Sequence, residues 1–129
     1  ARVSGGRVVS VEIDPARSAL ARDNLSAAGL DAHVELRTED AAMTLRDSPD
    51  ASWDLVFLDA ERPAYVGYWQ DLVRVLRIGG LLVVDNVLSH ADEVAEFREL
   101  VTNDERVLQS LVPIGAGLLL VVNEPSGVV

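Results

Sequence analysis

Short apolar, β-branched runs alternate along this chain with longer segments in which apolar residues recur every three or four positions. Val8, Val9, Val11 and Ile13 predict a buried strand over 7–13. Asp14-Pro15 reads as an N-cap followed by the first helical residue, and Gly29 as the stop of a helix ending near Ala28. A second strand is expected over 33–37 and a short helix over 40–45, closed near Ser48-Pro49-Asp50. The run Asp54-Leu55-Val56-Phe57-Leu58-Asp59 predicts a third strand. Pro63 opens a helix in which Trp69, Leu72, Val73 and Leu76 share one face. Gly79-Gly80 predicts a turn into a fourth strand over 81–85. A helix over 91–102 should bury Val94, Phe97, Leu100 and Val101. Two last strands, 107–114 and 118–122, flank Gly115-Ala116-Gly117, which suggests a hairpin.

Alternating strands and helices imply an α/β, Rossmann-like fold with a mostly parallel sheet and a C-terminal antiparallel hairpin. The 129 residues suffice for one domain, so 1–129 is expected to be a single unit without repeats. Charge then narrows the partners. A formal charge of -10, with 21 acidic against 11 basic residues, argues against binding a phosphate backbone. With 0 cysteines there is no thiolate nucleophile and no disulfide. No apolar run reaches the roughly 20 residues of a membrane span, and a cytoplasmic location is the expectation. All 11 basic residues are Arg, which excludes a lysine base or Schiff base within these residues.

The candidate chemistry lies where strands three and four end. Parallel neighbours would bring Asp59, Asp85 and Asn86 to one edge of the sheet. Two carboxylates and a carboxamide form a hard, oxygen-rich set suited to Mg²⁺ or Ca²⁺. Ligands of open α/β sheets bind beyond the carboxyl ends of the strands. Each residue also has a plainer reading: Asp59 as a helix cap, Asp85-Asn86 as a turn. A phosphoacceptor role for Asp59 would want a Lys near the end, and a dehalogenase-type nucleophile would want Asp at 61, where Glu stands. Glu12 closes the first strand, where an acidic residue can accept two hydrogen bonds from a ribose diol. Asp40-Ala41 could meet an adenine edge or simply cap a helix. His90 is a candidate base or ligand, or a helix-start residue. Trp53, Tyr65 and Tyr68 are candidates for an aromatic pocket, while Trp69 fits the core by its spacing.

These segments together resemble the cation-dependent, S-adenosylmethionine-using O-methyltransferases, the group that includes catechol and caffeoyl-CoA O-methyltransferases. The carrying stretches are 8–15, 53–60, 79–86 and 111–115, in the family's order over nearly the whole chain. The resemblance implies a class I methyltransferase fold, with Asp59, Asp85 and Asn86 as ligands to Mg²⁺ or another divalent cation. It implies Glu12 as ribose binder, Ile13 as an adenine contact, Asp40 and Ala41 at the adenine edge, and Asp59 beside the cofactor as well. The substrate would be a small hydroxylated aromatic with neighbouring oxygens. Members often carry Lys three residues after the first metal Asp. Here Arg62 stands there, able to stabilise a phenolate but not to accept its proton. The family's first strand and Gly-rich loop have no counterpart in these residues. Weak cofactor binding is therefore expected, and so is a gap between strands one and three whose open edges favour association into a homo-oligomer. A binding or assembly module that keeps the fold without the chemistry is the main alternative. A nucleotide-linked oxidoreductase half-domain is a further one, but it gives the Asp59 and Asp85-Asn86 set no role.

Overall fold

A computed structural model describes residues 5–125. They divide into two compact units, with the boundary between Asp47 and Ser48. The first unit contains β1 (Val8–Glu12), α1 (Pro15–Ala27), β2 (Val34–Thr38) and α2 (Ala41–Asp47). The second contains β3 (Trp53–Leu58), a 3-10 turn (Arg62–Ala64), α3 (Tyr65–Val75), β4 (Leu76–Asp85), α4 (Ala91–Thr102), β5 (Val107–Val112) and β6 (Leu118–Asn123).

In the first unit β1 and β2 pair in parallel, from Val8↔Val34 to Glu12↔Thr38. Asp14 caps α1 by accepting from the Ala16 amide at 2.9 Å, and Pro15 fills the first helical position, where no backbone donor is needed. The buried Ser18 ties α1 to β2 through the Thr38 hydroxyl at 2.6 Å. Leu45 is the buried apolar residue of this unit among the described residues.

The second unit holds a four-stranded sheet in the order β3-β4-β6-β5. β3 and β4 are parallel; β6 runs antiparallel to both β4 and β5. The expected C-terminal antiparallel hairpin is therefore present, in a sheet of mixed rather than mostly parallel pairing. Alternation along the strands sets the packing. Leu58, Leu82, Val84, Leu119 and Val121 are buried, together with Tyr65, Trp69, Leu72 and Val73 of α3 and Val94, Phe97 and Val101 of α4. Phe97 meets the Tyr65 and Trp69 rings edge-on, with centroids 5.5 Å and 5.6 Å apart. The buried Asn123 carboxamide donates to the Leu76 carbonyl at 2.8 Å, so a polar group at the end of β6 closes the α3–β4 junction. Leu55 and Phe57, on the alternate positions of β3, stay 57% and 58% exposed.

Three sequence expectations are corrected. Gly79-Gly80 is not a turn ahead of the strand but lies inside β4. The ladder jumps from Trp53↔Leu76 to Leu55↔Leu81, so β4 bulges outward there. Gly79 takes φ +81°, and a Cβ on Gly80 would stand 2.8 Å from the Arg77 carbonyl oxygen. Leu100 is on the exposed side of α4, because the buried stripe passes through Val94, Phe97 and Val101. Ile114 lies in the hairpin turn, not in β5. Among the described residues β1 and β3 each have one ladder partner.

Candidate functional site

The parallel register of β3 and β4 sets the geometry of the second unit's candidate site. Leu58 pairs with Val84, and both are buried on the side of the sheet that α3 and α4 cover. Asp85 ends β4, on the alternate side from Val84, and Asp59 is the first residue after β3. Each therefore directly follows one member of the last paired position of the two strands, Leu58↔Val84. Asp59 is exposed and Asp85 half-buried.

Asn86 follows in the left-handed region, at φ +64°. Asn tolerates that conformation better than most residues, as a turn directly after a strand requires. Several bonds hold it. Asp85 Oδ1 accepts from the Asn86 amide at 2.8 Å. The β5–β6 turn then fixes the following loop: the Gly117 carbonyl accepts from Val87, and the Ala116 carbonyl from Leu88 and Ser89, over 2.9–3.2 Å. Gly117, at φ +90°, lies so close to Leu88 that a Cβ would stand 2.5 Å from its Cγ. The sequence marked this turn as a hairpin and did not show that it braces the residues after Asp85.

Downstream of Asp59 two residues feel its carboxylate. Arg62, in the 3-10 turn, donates to Glu93 Oε2 at 2.5 Å, and this bond raises its pKa, with Asp59 adding a smaller push. The same Glu93 oxygen lies 3.4 Å from His90 Nδ1. The Arg62 hydrogen bond in turn lowers the Glu93 pKa, with His90 adding to the effect. Arg62 therefore reaches the neighbourhood of Asp59 already paired, and His90, directly before α4, shares that pairing. The buried Tyr65 hydroxyl accepts from the Ala60 amide at 3.0 Å and donates to the Ala60 carbonyl at 3.2 Å. Desolvation pushes its pKa up, which keeps the donating proton in place.

The aromatic pocket does not form as expected. Tyr65 and Trp69 are core residues, and Tyr68 is half-buried beside Tyr65. Trp53 opens β3, at the opposite end from Asp59, and donates to the Ser48 hydroxyl at 3.1 Å.

In the first unit Glu12 ends β1 half-buried. Its carboxylate accepts from the Asp14 amide at 3.4 Å and lies 3.8 Å from Arg17. Ile13 is 66% exposed. Asp40 caps α2 through the Ala42 amide at 2.9 Å, with Ala41 as the first helical residue. The plain capping reading of Asp40 is thus realised, and its second carboxylate oxygen is left for other partners.

Two carboxylates and a carboxamide match the hard-oxygen preference of Mg²⁺. Among the described residues no group of three or more His, Cys, Asp or Glu side chains is placed to hold a metal; the set here is two Asp and one Asn. No described helix is long and apolar enough to cross a membrane.

A family model described as O-methyltransferase matches residues 3–124. The chain belongs to the O-methyltransferase family. It is 40% identical over 91 residues to a catechol O-methyltransferase of Mycobacterium tuberculosis, covering 70% of this chain and 41% of that protein. With a catechol O-methyltransferase of Niastella koreensis it shares 37% identity over 86 residues, covering 64% and 39%. Among solved structures, the O-methyltransferase TomG of Streptomyces achromogenes, in complex with SAM, superposes with a TM-score of 0.80 at 26% identity. That match covers 92% of this chain and 62% of TomG. The chain thus spans about two fifths of the length of these two curated relatives. An O-methyltransferase fold was the sequence expectation, and both the family match and the superposition bear it out.

Proposed function

We propose that this chain is the part of an S-adenosylmethionine-dependent O-methyltransferase that carries a divalent-metal site for a catechol-like substrate. The observation that supports the reading is the shared register of β3 and β4: Asp59 follows Leu58, Asp85 follows its ladder partner Val84, and Asn86 comes next at a positive φ. Membership of the O-methyltransferase family and the catechol O-methyltransferase relatives support it.

Asp59, Asp85 and Asn86 are the residues that would hold Mg²⁺. A divalent ion held there would supply Lewis-acid and template chemistry toward a catechol hydroxyl. Glu12 has the acceptor oxygens that a ribose diol requires, and Ile13 offers exposed apolar surface to an adenine face. Asp40 and Ala41 stand at the start of α2 for an adenine edge, and Asp59 adjoins the cofactor in this reading. S-adenosylmethionine held by these residues would supply the activated methyl group. Arg62 stays charged throughout and cannot serve as base. Its part is to steady negative charge, and Glu93 sets where the guanidinium rests. His90, with Nδ1 3.4 Å from the same carboxylate, is the neighbouring imidazole in this reading.

Assay of the gene's full product for methyl transfer to a panel of catechols tests this, with Mg²⁺ and with chelator. Transfer that chelation and Asp85→Ala both abolish is the expected result. Activity indifferent to chelation would contradict the metal role, and inactivity across the panel would favour a non-catalytic binding module.

A further inference from the structure

Tyr65 is a core residue and lines no aromatic pocket, yet its hydroxyl engages the backbone next to Asp59. We propose that Tyr65 is a positioning residue for the Asp59 carboxylate, fixing the peptide that follows it; this rests on the metal-site reading above.

The chain leaves the sheet after Leu58, so neither Asp59 nor Ala60 is inside the β3 ladder. Backbone released from a sheet must find other hydrogen-bond partners. Here one side chain supplies both. The Tyr65 hydroxyl accepts from the Ala60 amide at 3.0 Å and donates to the Ala60 carbonyl at 3.2 Å. The peptide unit on each side of Ala60 is thereby fixed, and the first of these units begins at the Asp59 carbonyl.

The clamp is rigid because its ring is. Tyr65 is the first residue of α3 and is wholly buried. Its ring sits edge-on to Phe97 of α4 at 5.5 Å, and Phe97 meets Trp69 the same way. A helix and an aromatic cluster thus hold the hydroxyl, and the hydroxyl holds the loop. The carboxylate of Asp59 is close enough to push the Tyr65 phenol pKa upward, which places the two groups in one neighbourhood. Asp85 needs no such device, since it ends a strand paired on both sides. Residues that orient a metal ligand typically change metal affinity by about 10–100-fold when removed.

The test is Mn²⁺ affinity of the 129-residue chain by paramagnetic resonance, with amide hydrogen exchange at Ala60 and the thermal midpoint measured alongside. Tyr65→Phe keeps the ring and deletes only the hydroxyl. It should weaken Mn²⁺ binding about 10-fold and speed exchange at Ala60 relative to the rest of β3. Val107→Ala removes buried volume at the start of β5, outside the aromatic cluster, and keeps the clamp. It should lower the thermal midpoint while binding Mn²⁺ within about twofold of wild type. Equal Mn²⁺ affinity in Tyr65→Phe and wild type would overturn the positioning role. So would equal weakening in both variants, which would make the effect one of general loosening. A wild-type chain that binds no Mn²⁺ would overturn the metal reading itself, and this role with it.

Discussion

Asp104 offers the clearest quantitative test of how the second unit is held together. It sits between α4 and β5, and its side chain is 12% exposed. Its Oδ2 accepts from the Trp69 indole at 2.9 Å and from Arg106 Nη2 at 2.6 Å. Oδ1 accepts from the Arg106 amide and from Arg106 Nε, each at 2.9 Å. One carboxylate thereby connects α3 with the turn that launches β5. The Arg106 hydrogen bond leads the causes that lower its pKa from 3.8 to about 2, with the indole bond adding to them.

At 1.36 kcal/mol per unit, that depression corresponds to about 2 kcal/mol of stability. Arg106 is 45% exposed, so solvent screening reduces the figure to about 1–2 kcal/mol. The sign follows from the direction. A carboxylate with a depressed folded pKa contributes fully above its unfolded value near 4, and the contribution fades as pH falls toward 2. Asp104→Asn keeps the shape and one acceptor oxygen but removes the charge. Urea unfolding, followed by tryptophan fluorescence in a Trp53→Phe background, should show the variant less stable by about 1–2 kcal/mol at pH 7. The difference between the two proteins should shrink below about 0.5 kcal/mol near pH 2. Equal stability at pH 7, or a difference that persists unchanged into acid, would refute the reasoning.

Two further substitutions probe the surroundings of the candidate site. Gly117→Ala places a Cβ against Leu88 at a positive φ and should destabilise by about 1–3 kcal/mol in denaturant titrations. Adding Leu88→Gly removes all three close side-chain atoms and should recover the steric part of the loss relative to Leu88→Gly alone; no recovery would show that the contact is not the cause. Glu93→Gln breaks a partly exposed ion pair, so the denaturant midpoint should stay close to that of wild type. A marked drop would mean that the Arg62–Glu93 pair anchors the 3-10 turn to α4 structurally.

The sequence was most legible where period and punctuation agreed. Asp14-Pro15 marked the start of α1, and 91–102 has the bounds of α4. Both are local signals, a cap and a helical stripe, that tertiary contacts did not override. The Gly79-Gly80 bulge was misread because glycine marks turns and bulges alike, and only the partner strand distinguishes them. Leu100 was misassigned because three of four apolar residues suffice for the stripe on α4. Among the candidate residues, Asp59 and Asp85 were legible because strand ends can be read from apolar runs. The supports were not. The Tyr65 hydroxyl at Ala60, the Ala116 carbonyl at Leu88 and Ser89, and Glu93 at Arg62 are contacts across loops, and no periodicity encodes them. Tyr65 in particular satisfied the aromatic-core pattern, which concealed the use of its polar end.

The central claim is that Asp59, Asp85 and Asn86 form one divalent-cation site. Calorimetric titration of the chain with Mg²⁺ tests it most directly, comparing wild type with Asp59→Ala, Asp85→Ala and the distant control Asp54→Ala. The account predicts a single site whose affinity falls at least about 10-fold in each of the first two variants and is unchanged in the control. Mg²⁺ binding that survives both Asp59→Ala and Asp85→Ala, or that Asp54→Ala weakens equally, would contradict it.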